Sequence, residues 1–365
     1  MLSARYKIPI PRPRALLEPR TQLTLCARFI EAEGIGSIGV RYAQELVALG
    51  TEFSIWPTDK CAELVSPPNW RLLQSKMRRA CGNSIVAISH EDGAFRNCRG
   101  ARRFRVAMYE ATQAPSHWVG AYNADGGCTL LVPDPWVAEM FAASGVRVPT
   151  RVVPLGVERA AACPVVDRPF VFGMSAYYEE RKNHLLLVQA FKAAFEYDRG
   201  VRLLLHGRGG HTLDDVRRAS AGDERISFEM RVLQPAELEA WWHSIDAYVL
   251  PSAGEGYSHT PRESLMRAIP TAITDFSAHV TLVKRGSVVP IPVRCLEPAY
   301  KEMFKAAIGE HAQVRVDDLV EVLRFMRNNR DATRRMAEQG REQTLELDTW
   351  HSSTLHLLAA INESS

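Results

Sequence analysis

The chain has 365 residues, 46% of them hydrophobic and 24% charged, with a formal net charge of +3 at pH 7. That length exceeds one ordinary core and points to two domains of a globular protein. So balanced a charge gives no global case for nucleic acid, and no apolar run approaches the roughly 18 residues that cross a bilayer.

Basic residues bunch at "RPRALLEPR" near the N-terminus, at "KMRRACGN" (76–83) and at "RNCRGARRFR" (96–105). Such clusters form either a solvated face or a patch for anionic lipid or a phosphorylated acceptor. The first residues lack the apolar core of a secretory signal. The expected location is therefore cytoplasmic, with peripheral contact at the inner face of an anionic membrane following from the basic patches. Seven cysteines are widely spaced, without a C-x-x-C or a Cys/His cluster, and read as buried reduced thiols.

In chain order, apolar runs of strand length alternate with amphipathic runs of helix length. "LTLCARF" (23–29) precedes a helix from about Gly39 to Leu49, and "EFSIWP" (52–57) follows. Then come the strands "SIVAIS" (84–89), "RFRVAMY" (103–109) and "TLLVP" (129–133), the helix "WVAEMFAASG" closed by Gly145, and the strand "TRVVPLGV" (150–157). The Pro- and charge-rich stretch "ERAAACPVVDRP" (158–169) reads as a linker.

The pattern then restarts with "FVFGMSA" (170–176), the helix "KNHLLLVQAFKAAFEY" and the strand "VRLLLHG" (201–207). "RISFEM", the helix "PAELEAWWHSI", the strand "AYVLPS" (247–252), a helix from about Pro261 and the strand "TAITD" complete it. From Val316 the chain is helical, with a last helix after Trp350. Two βα series imply an α/β protein of two Rossmann-like domains. They divide as 1–157, completed by 346–365, and 158–345. In such sheets ligands sit beyond the carboxyl ends of the strands, so the loops after Phe29, Ser89, Ala176, Gly207 and Ser252 are the candidate sites.

Residues 34–39 read G-I-G-S-I-G, which fits a dinucleotide fingerprint. That fingerprint needs its first glycine directly after the strand and an acid ending the next strand about 20 residues on. Here "IEAE" separates Phe29 from Gly34, and the second strand ends at Trp56-Pro57, so NAD is the lesser reading.

"LPSAGEGYSHTPRESLMRAIPTAI" (250–273) is the most informative stretch. Glu255 lies in a Gly-flanked loop at a strand end, and Glu263 falls in the first turn of the next helix. With Thr260 as N-cap and Pro261 at N1, T-x-x-E reads as a capping box, and Glu263 then either caps or binds. The stretch resembles the E-x7-E signature of retaining glycosyltransferases of the GT-B fold, family 4. "FGMSAYYEERKNHLLLVQAF", "RISFEMRVLQPAELEAWWHSIDAYVLPS" and "LDTWHSSTLHLLAAI" resemble the same family, and about 100–290 is well covered.

The resemblance implies two domains facing across a cleft, acceptor domain first and donor domain second, with the C-terminal helix crossing back to the first. It implies a nucleotide-sugar donor, UDP- or GDP-linked, bound as substrate, with no cofactor and no metal. Lys182 would neutralise the leaving phosphate, Glu255 would sit by the donor sugar, and His90 would contact that sugar. Glu263 would accept from ribose hydroxyls, because a carboxylate can accept from both members of a diol. Backbone N–H groups around Gly256, Tyr257 and Ser258 would meet sugar or pyrophosphate, and Arg231 the base or phosphate. Gly34 and Gly36 would admit the donor phosphate, while Gly39 and Glu110 would face the acceptor.

Three departures stand out. Tyr177 occupies the position of the family's second phosphate cation, which leaves Arg181 or Arg208 to substitute. Ser258 and Ala268 stand where the family has glycines, and Met230 replaces another. The expected activity is transfer of a sugar, with retention, to an unidentified glycan, lipid, protein or nucleic-acid acceptor. A phosphorylase of the same fold and a non-catalytic nucleotide- or glycan-binding protein are the alternatives.

Overall fold

A computed structural model describes residues 23–31, 34–58, 65–77, 82–88, 102–301 and 304–363. The chain divides into two compact units. The first takes Met1–Met108, Pro115–Gly156 and Trp350–Ser365; the second takes Tyr109–Ala114 and Val157–Thr349. The short segment Tyr109–Ala114 thus belongs to the second unit although its neighbours on both sides belong to the first.

The first unit alternates β1 (Leu23–Ala27), α1 (Gly34–Ala48), β2 (Phe53–Pro57), α2 (Pro67–Lys76), β3 (Ser84–Ile88) and β4 (Arg102–Val106). It continues with α3 (Ser116–Ala124), β5 (Cys128–Val132), α4 (Pro135–Ala143) and β6 (Thr150–Val152). All six strands are parallel, in the order β2-β1-β3-β4-β5-β6. Every residue of β1, β2, β3 and β5 is buried, which is why these strands read as unbroken apolar runs.

The second unit runs β7 (Phe170–Ser175), α5 (His184–Ala194), β8 (Val201–His206), α6 (Leu213–Ser220), β9 (Ile226–Glu229), α7 (Pro235–His243) and β10 (Ala247–Leu250). Next come α8 (His259–Met266), β11 (Thr271–Thr274), α9 (Val280–Lys284) and β12 (Val289–Ile291). Its parallel sheet has the order β12-β11-β10-β7-β8-β9. Counted within the unit, that is the Rossmann order 3-2-1-4-5-6, which reverses direction between its first and fourth strands. The reversal falls between β7 and β10. An antiparallel hairpin, β13 (Leu296–Lys301) and β14 (Ala306–Ala312), precedes α10 (Val316–Asn328) and α11 (Arg330–Leu347). The last helix, α12 (Trp350–Glu363), belongs to the first unit, where the Tyr42 hydroxyl of α1 meets Ser353 Oγ at 2.9 Å and its ring stands edge-on to Trp350.

Several sequence expectations need correction. Helix α1 begins at Gly34, not near Gly39, so G-I-G-S-I-G is the helix start and not a loop. A Cβ on Gly36 would lie 2.8 Å from Ile30 Cβ and 2.9 Å from the Ile30 carbonyl oxygen, and one on Gly39 would lie 2.7 Å from Ala27 Cβ. These two buried glycines let α1 close onto the end of β1, which accounts for them without a donor or an acceptor; Gly34 is exposed with open space around its Cα. The hairpin was not expected. Cys26, Cys128 and Cys163 are buried thiols, but Cys295 is exposed.

The basic run 96–105 is described only at its end. There Arg102 donates to Ser84 Oγ and the Ile361 carbonyl, Arg103 pairs with Asp125, and Arg105 is buried over the Tyr122 ring. Those three arginines are engaged inside the first unit. The runs at 12–20 and 78–81 lie outside the described residues. Among the described residues, no helix is long and apolar enough to cross a membrane.

The helix start gives a paired stability test. Gly36→Ala should destabilise the protein by about 1–3 kcal/mol, the usual cost of forcing a methyl into a closed contact. Gly34→Ala, at an exposed position with free space, should be neutral or stabilising by up to about 1 kcal/mol. Urea unfolding of both variants checks the contrast, and equal effects would show that α1 does not close on Ile30 as described.

Candidate active site

The loops that follow β7 and β10 meet at the reversal of strand order in the second unit, where open α/β sheets bind ligands. After β7 the chain makes one 3-10 turn, Glu180–Lys182, and Asn183 enters α5 in the left-handed conformation at φ 58°. Asn183 Nδ2 donates to the Pro251 carbonyl at 2.8 Å, and the Ala253 N–H donates to the Arg181 carbonyl at 2.6 Å. These two bonds bring the cations of the first loop onto Glu255 in the second. Lys182 Nζ contacts Glu255 Oε1 directly. Arg181 places one terminal nitrogen 3.1 Å from Glu255 and 2.8 Å from the Gly254 carbonyl, and the other 2.8 Å from Glu179.

Two more segments close the group. Glu110, from Tyr109–Ala114, lies 3.5 Å from Arg181 Nε and 2.5 Å from Lys301 Nζ at the end of β13. A Cβ on Gly254 would fall 2.2 Å from the Glu110 carbonyl oxygen and 3.1 Å from the His311 ring, so only glycine admits this approach. Burial works to raise the Glu255 carboxyl, yet Lys182 and Arg181 hold it well below the usual carboxylate range. Glu110 is likewise held down by Arg181 and Lys301 against its burial. Burial and the neighbouring Arg181 push the Lys182 ammonium down, with Glu255 opposing. Burial pushes His311 down to about 4, with Lys301 adding to it.

The Glu255 loop is held from below by the turn after β11. The Glu255 N–H donates to Ser277 Oγ at 2.8 Å, and the Ala278 N–H donates to the Glu255 carbonyl. His279 Nδ1 lies 3.3 Å from the Thr274 carbonyl and Nε2 lies 2.9 Å from Ser258 Oγ. Burial pushes His279 down to about 4. It is therefore neutral at pH 7, donating from Nδ1 to the carbonyl and accepting the Ser258 proton at Nε2. Ser258, Ala268 and Ser277 all have φ between 54° and 65°. Non-glycine residues there cost about 1–2 kcal/mol each, which explains why the resembled family has glycine at the first two.

Helix α8 begins at His259 behind Ser258, with no side-chain cap bond. The expected capping box is therefore absent, and Glu263 sits a turn inside the helix. Thr260 instead meets the buried Tyr248 hydroxyl at 2.6 Å, and that hydroxyl also lies 3.1 Å from the Ser175 carbonyl at the end of β7. Burial raises the Tyr248 phenol, and the charges of Glu263 and Glu255 add to the rise. Tyr257 is buried under the Arg262 guanidinium, 3.7 Å away, and Arg262 donates to the Tyr257 and Ser258 carbonyls. Tyr257 thus serves the loop's packing, and Gly256 beside it is buried.

Of the expected site residues, Glu255, Lys182, Arg181 and Glu110 form one ionic group, with Ser258 and Glu263 bordering it. Glu110 belongs to this group in the second unit, where two cations hold its carboxylate. Tyr177 is 55% exposed and carries no cation, and Arg208 is exposed as well. Arg231 is removed from the group: Glu229 takes its guanidinium in two bonds and Glu237 takes a third. His90 lies outside the described residues. Sequence reasoning missed Glu179, Ser277, His279, Lys301 and His311. The turn after β11 follows a strand's carboxyl end, a signal that would have found Ser277 and His279; Lys301 and His311 sit in a hairpin with no motif. Among the described residues, no cluster of His, Cys, Asp and Glu could hold a metal ion.

Residues 168–311 match the family model described as Glycosyl transferases group 1. No curated protein matches the chain. Among solved structures, sucrose-phosphate synthase from Thermosynechococcus elongatus aligns with a TM-score of 0.70 at 14% identity, over 94% of this chain and 99% of that one. Anabaena HepE, in complex with UDP and glucose, aligns with a TM-score of 0.71 at 10% identity, over 94% and 100%. The pneumococcal O-GlcNAc transferase GtfA, in complex with UDP and GlcNAc, aligns with a TM-score of 0.59 at 15% identity, over 77% and 56%. These likenesses are likenesses of fold: two Rossmann-like domains matching GT-B glycosyltransferase structures. The support for enzymatic glycosyl transfer comes from the family match within the second unit.

The ionic group predicts an acid signature. Glu255 and Glu110 have folded-state values below the ordinary 4.5, so their stabilisation is present above that value and is lost as pH falls through the lowered ones. The melting temperature should fall below pH 4.5, and Glu110→Gln should flatten that fall while lowering stability at pH 7 by stranding Lys301. Scanning calorimetry from pH 7 to pH 3 reads both; an unchanged acid slope in Glu110→Gln would remove Glu110 from the group.

Proposed function

We propose that this chain is a glycosyltransferase of the E-x7-E type that moves a sugar from a nucleoside diphosphate, uridine or guanosine, to a hydroxyl acceptor with retention. The observation that carries this reading is the Lys182–Glu255–Arg181 group at the β7/β10 reversal, a buried carboxylate between two half-buried cations. It sets cations where a diphosphate leaving group gathers charge and a carboxylate where a sugar can be oriented. The UDP held by HepE and GtfA in their complexes fits the same choice of donor.

In this reading Lys182 and Arg181 turn from Glu255 to the phosphates as the anomeric C–O bond breaks, which is where fixed positive charge lowers the barrier. The freed Glu255 accepts hydrogen bonds from the sugar hydroxyls. Ser258, whose own proton is given to His279, accepts as well. Glu263 accepts from the ribose diol. The acceptor oxygen attacks on the face the phosphate leaves, and its proton passes to the departing phosphate oxygen. Retention rests on the resemblance alone, and front-face attack is the course that it implies. With Tyr177 carrying no charge, Arg181 takes the place of the second phosphate cation.

Incubation with UDP-, GDP- and ADP-sugars should release the matching nucleoside diphosphate from at least one donor; release from none would overturn the reading. Lys182→Ala should lower kcat by about 100-fold or more with a smaller rise in KM, because leaving-group charge peaks in the transition state. Glu263→Gln should weaken nucleotide binding by about 1–3 kcal/mol, the cost of a charged hydrogen bond.

The same charge balance makes a less obvious prediction. Glu255→Gln should abolish transfer yet strengthen UDP or GDP binding by about tenfold, because Lys182 no longer has to leave a carboxylate. Calorimetric titration measures this; weaker binding in Glu255→Gln would mean that Glu255 itself holds the nucleotide.

A further inference from the structure

One cation of the ionic group has no part in the reaction proposed above. Lys301 reaches it from the hairpin and is 15% exposed, with its ammonium 2.5 Å from Glu110 and 5.5 Å from the centre of the Tyr109 ring. Backbone bonds fix the hairpin in place. The Thr112 N–H donates to the Glu310 carbonyl at 3.1 Å, the Glu310 N–H to Thr112 Oγ1 at 2.8 Å, and the Ala312 N–H to the Ala253 carbonyl at 2.8 Å. The carboxylates Glu110, Glu179 and Glu255 are matched by Arg181, Lys182 and Lys301, so the group is neutral as it stands.

Arg181 faces all three carboxylates, but not equally. Its terminal nitrogens bond Glu179, Glu255 and the Gly254 carbonyl, while its Nε, buried, makes no hydrogen bond and stands 3.5 Å from Glu110. Glu110 is a full ångström closer to Lys301 than to Arg181. The Glu110 side chain keeps 22% of its surface exposed, and Lys301 supplies the close cation that offsets the hydration it has lost. Without Lys301, Glu110 would have to draw Arg181 onto itself.

We propose that Lys301 is a positioning residue for the donor phosphates: by holding Glu110 it leaves Arg181 free to turn to an incoming diphosphate. The inference rests on the function proposed above and adds to it a role for the hairpin. Lys301 acts through Glu110 and Arg181 and does not touch the donor.

The test is titration of the full chain with UDP and with GDP, beside a melting curve, for the wild type, Lys301→Met, Lys301→Arg, Glu110→Gln and the double variant Lys301→Met/Glu110→Gln. Lys301→Met should weaken binding by between about fivefold and about a hundredfold, the range of couplings between linked sites. Lys301→Arg should keep most of the affinity. The double variant should return to wild-type binding, because the charge that seizes Arg181 is gone. It leaves no stranded carboxylate, so it keeps the test readable even where Lys301→Met unfolds. A double variant as weak as Lys301→Met would show direct contact with the nucleotide and overturn the proposal. So would a Lys301→Met that melts earlier but binds as the wild type does. Absence of binding in the wild type would overturn the glycosyltransferase reading itself, and this inference with it.

Discussion

Glu255 and Lys182 are in contact with little water around either, and that contact sets the terms for the residues near it. Removing a carboxylate and an ammonium from water costs several kcal/mol for each, which their attraction repays only in good geometry with further partners. Glu255 obtains a further charged partner in Arg181, and its backbone N–H and carbonyl, both bonded to the turn after β11, fix the geometry of the pair. Arg181 in turn faces Glu179 and Glu110, and Glu110 faces Lys301. The ionic group therefore grows outward until its charges cancel. Its members come from four segments: Glu179, Arg181 and Lys182 from the loop after β7, Glu255 from the loop after β10, Glu110 from Tyr109–Ala114 and Lys301 from the hairpin, so a shift of any one segment strands a charge.

The backbone that makes this possible is strained in a consistent way. Asn183, Ser258, Ala268 and Ser277 are left-handed; the first two lie in the loops after β7 and β10 and Ser277 in the turn after β11, while Ala268 lies between α8 and β11 at the other end of the sheet. Asparagine tolerates that conformation well; serine and alanine do so at a cost. Two of the compensations are visible: Ser277 Oγ accepts the Glu255 N–H, and Ser258 Oγ is held by His279. With Asn183, whose Nδ2 donates to the Pro251 carbonyl, the side chains that glycine lacks are thus put to use at three of these positions. At the buried Ala268 the structure gives no comparable bond.

The parallel sheets were legible in the sequence because strands buried on both faces read as unbroken apolar runs, as in "LTLCARF" and "AYVLPS". The Glu255 loop was legible because few segments place glycines, a carboxylate and a helix start so close after a strand. Other features were hidden for physical reasons. Most residues of β13 and β14 are exposed or half-buried, so they show neither an apolar run nor a clean alternation, and Lys301 and His311 went unseen with them. G-I-G-S-I-G misled because glycine serves close packing and loop flexibility alike, and its contacts with Ile30 and Ala27 lie outside the six residues themselves. The capping box at Thr260 failed because the helix begins earlier, at a serine whose φ no local pattern predicts.

A neutral ionic group has a consequence for selectivity in the proposed reaction. An anion entering a cluster of bare cations would bind for its charge alone, and inorganic phosphate would do as well as a nucleotide. Here Lys182 and Arg181 already have carboxylates, so an incoming phosphate gains only the difference between its own contacts and those it displaces. That difference is small for a lone phosphate. It grows when the same molecule also brings a ribose diol to Glu263 and sugar hydroxyls to the freed Glu255. The carboxylates thus restrain the cations until a ligand with the whole set of groups arrives, and the binding of each part of the donor depends on the presence of the others.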